Sequence, residues 1–120
     1  MRFIQEFGYT VKVGQDEAHQ KWTIANDERL RAAAPAGSKY IGTFAVVIGS
    51  EKQAGSYRFL MELDSYGAMD TSAAATKDPN SEWAKLLVES SRFIDLDLNA
   101  PWSTTLMKDV VDATIWDPKT

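Results

Sequence analysis

The order of strand and helix signals predicts an α+β fold. It is the β-α-β-β-α-β succession of the split βαβ, or ferredoxin-like, plan, with a four-stranded antiparallel sheet backed by helices. Three observations predict it. A long segment of period-two alternation opens the chain, an amphipathic helical stretch follows, and two further strand-like runs are then joined by the polar segment Gly49–Gly55 before a second helical region and a last strand. The 120 residues are expected to form one domain, 1–120, large enough for a modest core and too small for two.

The first strand is expected over Arg2–Val13, where Phe3, Gln5, Phe7, Tyr9, Val11 and Val13 alternate with Arg2, Ile4, Glu6, Gly8, Thr10 and Lys12. Gly14 ends it, and Gln15 or Asp16 is placed to cap a helix carrying Glu17 in its first turn. That helix runs to about Ala34, before Pro35-Ala36-Gly37. At about 100° per residue Ala18, Trp22, Ala25, Arg29 and Ala33 share one face, with His19 and Asn26 on its shoulder beside Leu30. The second strand, Lys39–Gly49, is nearly continuously apolar from Tyr40 to Ile48, which suits burial on both faces. The third, Ser56–Leu63, sends Tyr57, Phe59, Met61 and Leu63 one way and Arg58, Leu60 and Glu62 the other.

Asp64-Ser65 then begins a short helix through Tyr66, Ala68, Met69 and Ala73, and Asp78-Pro79 restarts the chain as a capped helix with proline at its first position. Trp83, Leu87, Ser90 and Ile94 fall on one face of that last helix. Residues 101–108 read equally as a helical turn or an early strand, and Val110–Trp116 is expected as the final strand.

Composition narrows the function classes. The net charge is −4 and the pI near 4.9, with Lys and Arg scattered singly, so neither nucleic acid nor an anionic membrane surface is an expected partner. There is no cysteine, which removes thiolate nucleophiles and sulfur-ligated metals. The longest apolar run, Phe44–Ile48, is too short to span a bilayer, and Met1–Glu6 lacks the apolar core of a signal peptide, so cytoplasmic residence is expected. No spacing of His, Asp and Glu suits a metal, and neither a Gly-x-Ser-x-Gly elbow nor a phosphate-cradling glycine loop occurs. No metal and no cofactor are expected.

Assembly follows from the two sheet faces. The helices suit the face carrying Phe3, Phe7, Tyr9, Tyr57, Phe59 and Met61. The opposite face mixes Ile4, Thr10 and Leu60 with Glu6, Arg58 and Glu62, half apolar where water would favour polar residues. A second copy across a two-fold axis would cover it and let the three charges form a paired network. The alternative is a monomer with a solvated second face.

The chain resembles the dimeric α+β barrel superfamily, whose members pair two ferredoxin-like sheets. The likeness spans nearly the whole chain. It is carried by Val11-Lys12-Val13-Gly14 entering the first helix, by Tyr40-Ile41-Gly42-Thr43-Phe44 on strand two, and by Glu62-Leu63-Asp64-Ser65-Tyr66-Gly67-Ala68-Met69-Asp70, where strand three passes into a helix. The resemblance implies a pocket between the helices and the sheet. Its walls would be Phe7, Tyr9, Trp22, Phe59, Met61, Trp83 and Leu87, and its polar groups Gln5, Asn26, Arg29, Tyr57 and His19. Haem-using relatives need an axial ligand, for which only His19 is available, and polyketide-cyclase-like relatives use strand histidines that this chain lacks. Cofactor-independent monooxygenase relatives use Trp, Asn, Tyr and Arg, residue types present as Trp22, Asn26, Tyr57 and Arg29.

Three functions are therefore expected in order. The first is a homodimer holding a small hydrophobic or aromatic molecule, including an acyl chain, in each subunit. The second is a cofactor-independent monooxygenase, isomerase or cyclase acting on an aromatic or polyketide-like substrate. There Tyr57, Tyr9 or His19 would move the proton while Asn26 and Arg29 polarise an oxygen. The third is a structural dimer whose aromatics fill the core, with His19 an exposed or partly buried bystander.

Overall fold

The computed structural model describes residues 2–50, 55–97 and 99–111. Its elements are β1 (Phe3–Tyr9), α1 (Asp16–Ala33), β2 (Ser38–Ala45), β3 (Tyr57–Leu63), α2 (Ala68–Lys77), α3 (Glu82–Ser91) and β4 (Ser103–Lys108). The four strands form one antiparallel sheet in the order β2-β3-β1-β4, the ferredoxin-like arrangement, with the helices on one face. Register follows the alternation: Phe3 lies opposite Leu63, Gln5 opposite Met61 and Phe7 opposite Phe59. The helix-side set includes Phe3, Tyr9, Tyr57, Met61 and Leu63, all buried.

β1 stops at Tyr9, four residues before the expected Val13, because β3 begins at Tyr57 opposite it and offers no partner beyond. The chain leaves the sheet to pair with the end of α3 instead. Val11 bridges Ile94, Lys12 N–H donates to Phe93 O at 2.8 Å and Asp95 N–H donates to Thr10 O at 2.8 Å. Val13 is consequently exposed. β2 likewise ends at Ala45, opposite Tyr57, and is an edge strand rather than one buried on both faces. Past that point Val47 and Ile48 lie in solvent despite their apolar character.

α1 spans nearly the expected residues but is turned. His19, Asn26 and Leu30 form its buried stripe, while Ala18, Ala25 and Arg29 are exposed, a rotation of roughly 80° from the alanine-rich face. Alanine buries little area, so the larger side chains decide which face packs.

α2 begins at Ala68, where the Ser65 hydroxyl accepts the Ala68 N–H at 3.2 Å. Asp78-Pro79 does not cap α3. Asp78 closes α2, and its carboxylate accepts Asn80 N–H at 3.0 Å in a local turn. Ser81 is the cap, its hydroxyl accepting Ala84 N–H at 3.0 Å and donating to Ala75 O at 2.6 Å. β4 occupies the stretch that reads ambiguously, pairing Leu106 with Gln5 and Thr104 with Phe7. The strand expected over 110–116 does not start at Val110, which lies in a turn with Val111, and residues 112–116 lie outside the described residues.

Candidate functional site

Between the helices and the sheet lies a cavity of about 520 Å³, partly open to solvent. Its floor is the helix-side face of the sheet: Gln5, Phe7 and Tyr9 from β1, Thr43 from β2, Phe59 and Met61 from β3, and Thr104 from β4. Pleating puts these residues on one side because each is two positions from the next along its strand or directly opposite it in register. α1 adds His19, Trp22, Thr23 and Leu30, at i, i+3, i+4 and i+11 and so on one side of the helix. From α3 and the turn after it come Trp83, Leu87, Ser90 and Ile94, the same set that shares one face in the sequence. α2 completes the wall with Met69, Ser72, Ala73, Thr76 and Lys77, of which Lys77 is exposed and is the one charged side chain of the lining.

One end of the cavity is built from aromatic rings around His19. The imidazole is 2% exposed, and its Nε2 lies 2.7 Å from the Tyr9 hydroxyl. Tyr57 meets the imidazole edge-on at 4.5 Å between ring centres, and Phe93 at 6.0 Å. Tyr9 stacks on Tyr57 at 5.8 Å and on Phe7 at 5.6 Å. Burial lowers the His19 pKa, opposed in part by the Asp16 carboxylate, so the ring is neutral near pH 7. Burial also raises the Tyr9 hydroxyl well above the usual phenol range, reinforced by Tyr40 and Tyr57, which makes it a lasting O–H donor and a poor base. His19, expected to be exposed or partly buried if it is a bystander, is buried and lies in the wall.

Three residues expected at the pocket lie outside its lining. Tyr57 donates its hydroxyl to Asp16 Oδ1 at 2.9 Å and accepts from Gln20 Nε2 at 3.2 Å, so that group is engaged at the start of α1. Asn26 donates Nδ2–H to Trp22 O at 2.8 Å and accepts from Arg29 Nη1 at 2.7 Å. Arg29 is exposed, and its guanidinium is paired with Glu82 at 2.6 Å. Neither Asn26 nor Arg29 is placed to polarise a cavity oxygen, because the turn of α1 that buries His19 carries Arg29 to the surface. The α2 contribution goes beyond the sequence reading, which ends that helix near Ala73. Met69, Ser72, Ala73, Thr76 and Lys77 follow a helical i, i+3, i+4, i+7, i+8 spacing that marks them as one face.

On the other side of the sheet, Ile4 pairs with Met107, Glu6 with Thr105, and Leu60 with both Glu6 and Gly42. Glu6 and Arg58 form an ion pair at 3.0 Å within the subunit, and Arg2 pairs with Glu62. Two of the expected interface acids are thus already matched in the protomer. Thr10 lies past the end of β1, its hydroxyl donating to Pro101 O at 2.9 Å. Among the described residues no group of His, Asp and Glu could hold a metal, and no helix is long and apolar enough to cross a membrane.

No family model and no curated protein matches the chain by sequence. Solved structures do match it in shape. A NIPSNAP family protein from Agrobacterium tumefaciens superposes with a TM-score of 0.61 over 90% of this chain and 92% of its own, at 15% identity. A dimeric ferredoxin-like protein of unknown function from Thermobifida fusca gives 0.59 over 89% and 90%, at 14% identity. The fold is ferredoxin-like, as in these structures. A putative antibiotic biosynthesis monooxygenase from Nitrosomonas europaea superposes with a TM-score of 0.60 over 92% of this chain and 91% of its own, at 11% identity. At these identities the likeness is one of fold, and the chemistry rests on this chain's own cavity.

Proposed function

We propose that the protein binds a small, largely apolar molecule in the cavity between its helices and its sheet, as one protomer of a two-fold homodimer. The observation that carries this reading is the cavity itself, about 520 Å³ with walls of Phe, Trp, Tyr, Met and Leu interspersed with Gln, Ser and Thr. That size and character are those of sites for small organic molecules, which run from roughly 300 to 1,000 Å³. A structural dimer with an aromatic-filled core is the less favoured reading, because Phe7, Trp22, Phe59 and Trp83 border open space there instead of packing it shut.

The dimer is supported by the half-apolar open face, where Ile4, Leu60, Met107 and Phe44 stand among paired charges, and by relatives described as dimeric. Pre-pairing of Glu6 with Arg58 lowers the cost of covering that face. Replacing Leu60 by Asp adds an unpaired charge there. Sedimentation should then report a monomer, and a persistent dimer would place the interface elsewhere.

A second reading, catalysis on the bound molecule, is favoured by one feature. The Tyr9 hydroxyl and the His19 imidazole form a 2.7 Å hydrogen bond in the cavity wall. A neutral imidazole beside a phenol can pass a proton to or from a substrate held against it. The fold likeness to a putative antibiotic biosynthesis monooxygenase fits this reading.

Native mass spectrometry of gently purified protein, followed by denaturing extraction, tests the binding function. Excess mass released on denaturation would support it and identify the class of molecule. A mass equal to that of the bare dimer, with no uptake of naphthalene-sized probes, would refute it.

A further inference from the structure

The exposure of the cavity lining locates the route into it. Among the lining residues only Ala73, Thr76 and Lys77 of α2 and Thr104 of β4 are exposed, and all the others are buried or half-buried. An opening to solvent has to run past exposed lining, which places it between those two elements.

Packing closes the remaining sides. Where α1 and α3 meet β2 and β3, Leu30, Tyr40, Met61, Trp83 and Leu86 form one buried cluster. At the His19 end, Tyr9, Tyr57 and Phe93 surround the imidazole. There the chain beyond β1 is tied to the end of α3 by the Val11–Ile94 bridge and by Lys12 N–H donating to Phe93 O. At the opposite end Phe3, Leu63 and Ala68 are buried together, with Met69 and Leu106 packed against them.

The two walls of the gap follow from local geometry. Ala68, Ser72 and Ala75, at i, i+4 and i+7, form the buried or half-buried side of α2, and Ala75 packs against the Trp83 cluster. Met69, Ala73 and Thr76 repeat that spacing one residue on, about 100° round the helix, and line the cavity. On β4, Leu106 lies opposite Gln5 and Thr104 opposite Phe7, so both share the helix-side face of the sheet. Leu106 is half-buried against the Ala68 cluster, whereas Thr104, two residues along, is exposed. Hydrogen bonds hold α2 at both ends: Ser65 Oγ accepts the Ala68 N–H at 3.2 Å, and Ala75 O accepts the Ser81 hydroxyl at 2.6 Å. Side chains therefore set the width of the gap.

On the reading that the cavity is a binding site, we infer that its occupant enters and leaves between Ala73 and Thr76 of α2 and Thr104 of β4, and that these small side chains set the size of molecule admitted. The dimer proposed above covers the opposite face of the sheet and leaves this passage open.

Stopped-flow fluorescence of the full chain with N-phenyl-1-naphthylamine, an uncharged dye that brightens in apolar surroundings, tests this. Ala73→Trp and Thr104→Trp each put a large ring into the gap from an exposed position, so neither disturbs the buried clusters. Ala74→Trp puts the same ring on α2 at an exposed position outside the lining. A residue that acts only on passage raises one barrier crossed in both directions, so association and dissociation slow together and Kd is kept. The expected result is that at least one of the two gap substitutions slows both rates by roughly fivefold or more, with Kd within about twofold of wild type, while Ala74→Trp changes neither rate. If neither gap substitution slows both rates, or if Ala74→Trp slows them as much, the inference is overturned while the binding site stands. If wild type takes up no dye, the proposed binding function falls and the inference with it.

Discussion

Adjacent leucines on α3 provide a test of whether the cavity exists in solution. Leu86 is 0% exposed and packs in the cluster of Leu30, Tyr40, Met61 and Trp83, while Leu87 is half-buried and lines the cavity. Both sit in the same helix, so replacing either by Ala changes intrinsic helix propensity equally. At Leu86 the lost transfer energy and the new void add, giving roughly 3–4 kcal/mol within the range known for packed leucines. At Leu87 less area leaves burial, and the space vacated merges with the existing cavity instead of opening in close-packed material. The cost there should be roughly 1–2 kcal/mol. The expected gap of about 2 kcal/mol corresponds to roughly 10 °C in Tm for a domain of this size. Urea unfolding followed by circular dichroism, at one fixed protomer concentration and on protein refolded free of small molecules, measures both variants against wild type. Equal costs for the two substitutions, with unchanged m-values, would show that Leu87 meets packed side chains and would refute the cavity.

The buried imidazole makes stability pH-dependent: its folded-state pKa lies below the ordinary 6.5, so the unfolded chain takes up the proton first as pH falls. Stability from this group is full above about pH 6.5 and is lost below it, and His19→Gln should flatten that part of the urea-midpoint profile between about pH 6.5 and pH 5. Ser81→Ala removes a cap that accepts Ala84 N–H and also donates to Ala75 O, and should cost about 1–2 kcal/mol by denaturant melting. Gly55 has φ +85°, and a Cβ there would run into the Tyr9 carbonyl, whereas Gly14, with φ +81°, has open space around the same position. Gly14→Ala should therefore cost only about 1–2 kcal/mol of left-handed strain, while Gly55→Ala should abolish the soluble fold, as judged by yield and thermal melting.

Element order and sheet register are legible because alternation in β1 and β3 is strong on both counts, with Phe7 and Phe59 meeting as the pattern requires. Strand ends are less so. A strand stops where its neighbour stops, and nothing within Val11-Lys12-Val13 or Val46-Val47-Ile48 says that β3 begins only at Tyr57. β4 hides for the converse reason: Ser103, Thr104 and Thr105 are weakly apolar, and the sheet recruits them through pairing with β1. At the site, the sheet and α3 contributions are readable from spacing. The rotation of α1 is not, because the face of Ala18, Trp22, Ala25, Arg29 and Ala33 outnumbers, without outweighing, His19, Asn26 and Leu30 on the next.

That rotation bears on the chemistry more than any other single feature. Had the alanine face packed inward, Arg29 would have reached the cavity and placed a cation against whatever it holds. Instead Arg29 is exposed and tied to Glu82, Asn26 is spent on Trp22 O and on Arg29, and apart from the exposed Lys77 the polar side chains of the lining are neutral, among them His19, Tyr9, Gln5 and Ser90. A cavity with a buried cation stabilises an anion, and so suits enolate or carboxylate ligands. A cavity whose inner polar groups are neutral suits a neutral group and leaves its charge unchanged. Any reaction here must therefore draw its proton movement from the Tyr9–His19 bond, since no other titratable pair among the described residues lies in the wall. The choice between carrier and enzyme accordingly narrows to one hydroxyl: Tyr9→Phe removes turnover if the protein is an enzyme, and changes only affinity if it is not.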